Sequence, residues 1–213
     1  MQRWSFGNVE LPQQMMRTDP QHAQSHTRHA ISLVAGLGNP GEEYAHTPHN
    51  IGFEAVDALA ELFSVSYWKQ QSGCLVASVS LTSSHGTKTM YLAKPQGFMN
   101  TSGGPLSRLL RALSIDVSEM LVIHDEVDLE PGLIQLKWGG GLNAHNGLKS
   151  IAQKFGTQDF GRIRCGIGRP PGKMRVSDYV LRKVKGDLAL SYDDTCARAA
   201  EAVQRALTEG FRA

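Results

Sequence analysis

The chain has 213 residues, of which 41% are hydrophobic and 20% are charged, a composition that excludes collagen-like, coiled-coil and wholly disordered proteins. No apolar run approaches the roughly 18 residues of a membrane-spanning helix, so we expect no membrane segment. The 22 Lys and Arg against 20 Asp and Glu leave a formal charge of +2, which alone indicates neither a nucleic-acid partner nor a membrane surface.

The N-terminus shows neither the apolar stretch of a secretory signal nor any periodic pattern. We therefore expect a flexible extension over residues 1–29 and a folded domain over residues 30–213. The three cysteines have no metal-type spacing, and we expect reduced thiols in a cytoplasmic protein (Cys74, Cys165, Cys196).

Apolar spacing predicts the elements of the N-terminal half in turn. Ile31–Leu37 is a short apolar run stopped by glycine and proline, which is typical of a buried strand entering a loop. From Ile51 to Phe63 the apolar residues recur at intervals of three and four residues, which predicts a helix. Two strands follow over Cys74–Leu81 and Thr87–Ala93, and a second helix is predicted around Leu106–Leu113.

The C-terminal half continues the alternation of strands and helices. Its predicted elements are a strand over Met120–Ile123, an acidic loop over His124–Asp128, a strand over Leu133–Trp138, a helix near Asn146–Phe155, a strand over Arg162–Ile167 and a long final helix containing Tyr192–Leu207. This order, without a linker or an internal repeat, predicts a single α/β domain built on one mixed sheet.

The small net charge conceals an uneven distribution. Between Gly132 and Lys185 there are eleven Lys and Arg but two acids, a net charge of +9, whereas the rest of the chain carries −7. One hypothesis is an ordinary solvated surface. The other is a surface that contacts phosphate groups, where each neutralised phosphate adds salt-dependent affinity.

The stretch Gly36–Gly41 matches the G-x-G-x-x-G pattern of dinucleotide-binding turns. Its context argues against that function, because Pro40 lacks an N–H donor and the next two residues, Glu42 and Glu43, place negative charge where a pyrophosphate would lie. We therefore interpret the glycines as a tight turn between a strand and a loop.

Polar side chains suited to hydrolysis cluster in this loop and at the ends of later elements. An imidazole takes a proton from water near neutral pH when a carboxylate orients its other nitrogen, and Asn side chains place water or donate to an oxyanion. No G-x-S-x-G motif is present, so water is the expected nucleophile. The candidates are Asn39, His49, Asn50, Asn100, Asp125 and Asn146.

Two histidine pairs have spacings that occur in metal sites. They are His46 with His49 and His22 with His26. Neither pair has a fitting third ligand nearby in the sequence, so we expect no metal and no other cofactor.

Seven motifs, taken together and in order, resemble a known family. They are G-L-G-N-P-G-x-x-Y from Gly36, H-N-x-G from His49, F-M-N-x-S-G from Phe98, H-D-E-V-D-L from His124, K-W-G-G-G from Lys137, H-N-G-L-K-S from His145 and R-C-G-I-G-R-P from Arg164. From about Ile31 to the C-terminus, the sequence is similar to bacterial-type peptidyl-tRNA hydrolases.

The resemblance implies a monomeric α/β fold with a twisted mixed β-sheet flanked by helices. It also implies metal-independent hydrolysis of the ester that joins a peptide to the 3′ ribose of tRNA. By position in the motifs, His49 would be the general base and Asp125 its orienting carboxylate. Asn146 would position the water or the oxyanion.

The same resemblance assigns substrate contacts. Asn39 and Asn100 would hold the peptide and the scissile region, and Tyr44 and Met99 would line the cleft. The triple glycine after Trp138 resembles a mobile lid. Lys137 and Arg164 would contact tRNA phosphate, so peptidyl-tRNA is the expected partner of the basic segment.

Some positions depart from the family pattern. Pro48 stands before the expected base where many relatives have Arg, and Leu142–Ala144 replace a glycine-rich stretch, which favours a less mobile lid. Gln135 stands where some relatives have a second Lys. The alternative function is RNA binding without catalysis on the same fold, although each expected catalytic residue is present.

Overall fold

The computed structural model describes residues 30–83 and 86–211, and the extension expected over residues 1–29 lies outside them. The strands are β1 (Leu33–Gly36), β2 (Lys69–Gln71), β3 (Cys74–Ser83), β4 (Gly86–Pro95), β5 (Met120–Glu126), β6 (Ile134–Trp138) and β7 (Gly161–Gly166). The helices are α1 (Ile51–Leu62), α2 (Gly103–Leu113), α3 (Asn146–Phe155), α4 (Val176–Val180) and α5 (Asp187–Glu209). None of these helices is long and apolar enough to cross a membrane.

The seven strands form one mixed sheet in the order β2-β3-β4-β1-β5-β7-β6. The central strands β4, β1, β5 and β7 are parallel, whereas β2, β3 and β6 pair with their neighbours in antiparallel fashion. One hydrophobic cluster lies under α1 and α5 and a second lies under α2 and α3. The predicted α/β class and mixed sheet are therefore confirmed.

The structure corrects three element predictions. The strand predicted to end at Ile123 continues to Glu126, because His124, Asp125 and Glu126 pair in parallel with β7. The first three residues of the expected acidic loop are therefore buried strand residues, and Val127 and Asp128 form a turn after the strand. The short elements β2 and α4 were not predicted, since three and five residues are too few to show an apolar period.

The glycines of the first loop serve packing. A Cβ atom on Gly36 would collide with the backbone carbonyl of Gly52 in α1, and one on Gly52 would collide with the Ile123 carbonyl and the Leu37 backbone. The first turn of α1 therefore lies directly on the backbones of β1 and β5. This contact brings the residues just before α1, including His49, to the carboxyl end of β5, where Asp125 lies.

We predict that Gly52→Ala destabilises the fold by about 3 kcal/mol or more, because neither backbone neighbour can move aside. Urea unfolding measures this loss. Gly104→Ala is the matched control, since its Cβ would meet only the end of the Arg108 side chain at 3.7 Å. That substitution should raise stability by up to about 1 kcal/mol. Equal effects at the two sites would contradict the packing argument.

Candidate active site

His49 and Asp125 are in direct contact at the carboxyl end of β5. His49 Nδ1 lies 2.8 Å from Asp125 Oδ1, and the side chains are 12% and 4% exposed. A carboxylate accepts and does not donate, so Nδ1 of His49 carries a proton and Nε2 holds the lone pair. This is the arrangement of a base oriented by a carboxylate.

The loop that carries His49 is fastened at several points. Val184 donates its backbone N–H to the His46 carbonyl at 2.8 Å, and Tyr192 Oη donates to the Thr47 carbonyl at 3.0 Å. Glu54 accepts from the His46 backbone N–H at 2.7 Å. Pro48 then begins a short 3-10 helix. These contacts from α1, α5 and the chain after α4 hold the imidazole in place.

The sequence reasoning missed His145, which also contacts Asp125. His145 Nε2 lies 3.0 Å from the same Oδ1 atom, and the ring centroid is 5.0 Å from that of His49. Its other nitrogen, Nδ1, accepts from the backbone N–H groups of Gly147 and Leu148 and so caps α3. The sequence signal was its position immediately before the predicted helix, where N-cap residues occur.

Asp125 remains ionised despite its burial. Burial by itself would raise the pKa of this carboxyl group, but the charges and hydrogen bonds of His49 and His145 hold the pKa well below its ordinary value. The Asp125 carboxylate therefore carries a buried negative charge that is shared between two imidazoles.

A third histidine, His124, lies beneath this pair. Its ring is buried, its Nδ1 donates to the Asp125 carbonyl at 2.7 Å, and its Nε2 has no hydrogen-bond partner among the described residues. Burial and the neighbouring His145 lower the pKa of His124 well below its ordinary value, so this ring is neutral in the folded protein.

Asn39 links the first loop to the loop after β4. Its backbone N–H donates to Asn50 Oδ1 at 2.8 Å, Asn50 Nδ2 donates to the Asn39 carbonyl at 2.9 Å, and Asn39 Oδ1 accepts from the Met99 backbone N–H at 2.7 Å. While its oxygen accepts from Met99, the Asn39 amide still has its N–H groups to offer a substrate. Met99, expected in the cleft, is buried at this junction.

The remaining predicted substrate residues lie around this junction. Tyr44 is half-buried and contacts Phe98 edge to face, with centroids 6.4 Å apart, while Phe98 is 60% exposed. Asn100 is exposed in a 3-10 helix and Asn146 is exposed as the first residue of α3. Asn100 and Asn146 therefore have side chains that solvent or a substrate can reach.

The donor set around Asp125 does not suit a metal ion. His49, Asp125 and His145 bring their ligand atoms within 4.8 Å of one another. However, His145 Nδ1 accepts two backbone N–H groups, so its proton must be on Nε2, the nitrogen that faces the others. His46, the other member of the predicted pair, is turned away and contacts Glu54.

The cysteines do not provide a nucleophile. Cys74, Cys165 and Cys196 are free and buried. Burial raises the pKa of each thiol, which disfavours the reactive thiolate.

Lys137 and Arg164, both predicted to contact phosphate, differ in their surroundings. Lys137 is half-buried on β6, where its side chain lies over Gly140. Arg164 is 12% exposed and forms an ion pair with Glu126 at 2.9 Å, and it also donates to Gln135. Its guanidinium group therefore already has protein partners.

Arg162 is a buried cation beneath the glycine loop that follows β6. It is 1% exposed, and its guanidinium donates to the carbonyls of Gly141 at 2.7 Å and Gly140 at 2.9 Å. Burial and the nearby charge of Arg164 lower its pKa to about 10, so it remains a cation at neutral pH. In the same loop, Asn143 donates to Glu126 at 3.0 Å.

The basic segment is thus divided between the interior and the surface. Arg162 and Arg164 lie inside, and Arg169 and Arg175 pair with Asp128 and Asp178. Arg169 and Arg175 are exposed, and so are Lys149, Lys154, Lys173, Arg182, Lys183 and Lys185.

Residues 33–213 match the family model described as peptidyl-tRNA hydrolase. The chain belongs to the peptidyl-tRNA hydrolase family. It is 43% identical over 182 residues to the peptidyl-tRNA hydrolase of Streptomyces coelicolor, covering 84% of this chain and 90% of that protein. It is 44% identical over 179 residues to the peptidyl-tRNA hydrolase of Frankia alni, covering 84% of this chain and 89% of that protein.

A solved structure gives the same result. The crystal structure of peptidyl-tRNA hydrolase from Acinetobacter baumannii at 1.00 Å resolution superposes with a TM-score of 0.76 and 34% identity. The match covers 87% of this chain and 92% of that chain. The family resemblance carried by the seven motifs is therefore confirmed.

We predict that His124 makes the protein less stable as the pH falls from about 6.5 to 4.5. Its pKa is depressed in the folded state, so below about 6.5 the unfolded chain binds a proton that the folded protein does not. The free energy of unfolding should fall by up to about 1.4 kcal/mol per pH unit. Urea unfolding of His124→Asn, which keeps a donor near the position of Nδ1, should lose this slope.

His46→Asn, a change at an exposed histidine, is the control and should retain the slope. If His124→Asn shows the same dependence on pH as the unaltered protein, the slope arises from other groups.

Proposed function

We propose that this protein hydrolyses the ester bond between a peptide and the 3′ ribose of tRNA, with His49 as general base. The observation that carries the proposal is the contact between His49 and Asp125 within a fold of the peptidyl-tRNA hydrolase family. Peptidyl-tRNA is the substrate of that family. The products are free tRNA and a released peptide.

In the proposed reaction, Nε2 of His49 takes a proton from a water molecule while the water oxygen attacks the ester carbonyl carbon. Asp125 stabilises the imidazolium that forms, because its negative charge lies against Nδ1. The tetrahedral intermediate then collapses, the bond to the ribose 3′ oxygen breaks, and that oxygen receives the proton from His49.

We propose that the asparagines act as uncharged donors to the substrate. Asn39 supplies amide N–H groups, as its oxygen is engaged by Met99. Asn146 stabilises the oxyanion or positions the water, and Asn100 contacts the peptide near the scissile bond. Neutral donors suit this task because they stabilise developing negative charge without repelling the proton on His49.

We also propose the cellular setting. The protein acts as a monomer in the cytoplasm and recycles tRNA from stalled or abortive translation. Buried free cysteines support a reducing location. Non-catalytic RNA binding on this fold is less well supported, because the contact between His49 and Asp125 has a clear chemical use.

We predict that His49→Ala lowers the rate of peptide release from peptidyl-tRNA by about 10² to 10⁴-fold, the usual contribution of general-base catalysis. Single-turnover assays with purified substrate measure this rate. His46→Ala removes an exposed histidine three positions away and should keep most of the activity. Normal release by His49→Ala would show that another group acts as the base.

We predict that Lys137→Ala weakens tRNA binding and reduces the slope of log affinity against log salt concentration by about one. Lys69→Ala is the control, because β2 and β6 form opposite edges of the sheet. Replacing Arg164 is a less direct test, since its loss leaves the buried Glu126 without a cation. An unchanged slope for Lys137→Ala would place the phosphates elsewhere.

A further inference from the structure

Both ring nitrogens of His145 are engaged, and the partners determine where its proton lies. The backbone N–H groups of Gly147 and Leu148, at the start of α3, point at Nδ1 from 3.1 and 3.4 Å. A backbone amide only donates, so Nδ1 must be unprotonated and the neutral ring carries its proton on Nε2. That nitrogen lies 3.0 Å from Asp125 Oδ1.

Asp125 Oδ1 therefore accepts from two imidazoles at once, since His49 Nδ1 lies 2.8 Å from the same atom. Among the described residues, Asp125 contacts both rings, and His124, also on β5, packs against the His145 ring with centroids 5.1 Å apart. Arg162 on β7 acts on His124 from farther away. Asp125 is the carboxylate to which both rings donate a hydrogen bond.

We propose that His145 is a positioning residue that divides Asp125 Oδ1 between two donors and thereby sets how firmly His49 holds a proton. The proposal rests on the proposed function, in which His49 is the base. Two N–H groups that donate to one carboxylate oxygen share its negative charge, so each is held less strongly than a single donor would be. With His145 donating to the same oxygen, Asp125 therefore holds the N–H group of His49 less firmly than it would alone.

A purely structural role is the competing explanation, because His145 also caps α3. Two substitutions separate the roles. The side-chain oxygen of Asn occupies roughly the place of Nδ1, so His145→Asn keeps the helix cap and loses the donor to Asp125. The amide nitrogen of Gln reaches roughly the place of Nε2, so His145→Gln keeps that donor and loses the cap.

The experiment is the dependence of kcat/KM on pH for peptidyl-tRNA hydrolysis, measured together with thermal unfolding. His145→Asn should unfold near the temperature of the unaltered protein, and the acid limb of its profile should move up by about half to one pH unit. Its rate at pH 6 should fall about three- to tenfold and recover in part at pH 8. His145→Gln should unfold at a lower temperature and keep the original acid limb.

If His145→Asn keeps the original acid limb, the residue is only a helix cap and the proposal is overturned. Titration of the His49 ring by NMR supplies a measurement that does not need turnover. The midpoint for His49 should move upward in His145→Asn and stay in place in His145→Gln. Failure of the unaltered protein to hydrolyse peptidyl-tRNA would refute the proposed function, whereas an unmoved His49 midpoint would refute the positioning role.

Discussion

One oxygen atom, Oδ1 of Asp125, is the point on which the rest of the site depends. It is buried at the end of a central strand, where an ionised carboxylate without partners would be strongly destabilising. His49 from the first loop and His145 from the start of α3 both reach it. Two segments far apart in the chain must therefore meet at one atom, and the backbone contact between Gly36 and Gly52 makes the approach from the first loop close enough.

The charge distribution has a different meaning in the structure than in the sequence. The excess of +9 between Gly132 and Lys185 suggested a continuous basic surface, but Arg162 and Arg164 carry part of that charge into the interior. There Arg162 donates hydrogen bonds to backbone carbonyls, and Arg164 forms an ion pair with the buried Glu126. A count of charges along a sequence includes cations that organise the fold as well as those available to a polyanion.

The sequence predicted those elements well whose interactions are local in the chain, and it predicted poorly those that depend on distant residues. The bounds of α3 and most of α1 follow from apolar spacing, because the pattern lies within the helix itself. The predicted end of β5 was wrong. His124, Asp125 and Glu126 continue the strand because they pair with β7, forty residues further along the chain. His49 and Asp125 were candidates from their positions in a loop and after a strand, and the family motifs assigned their roles. His145 was missed because its role depends on a contact with Asp125, twenty residues earlier in the chain.

Arg162 explains how the loop after β6 keeps its path although no glycine occupies residues 142–144. Its guanidinium holds Gly140 and Gly141 from inside the protein, so the path of the loop is determined before the chain reaches Leu142–Ala144. Asn143 and Ala144 adopt left-handed conformations that glycine would adopt more easily, yet the loop still delivers His145 to Asp125. An internal anchor of this kind lets the outer residues of a loop diverge while the inner ones keep their geometry.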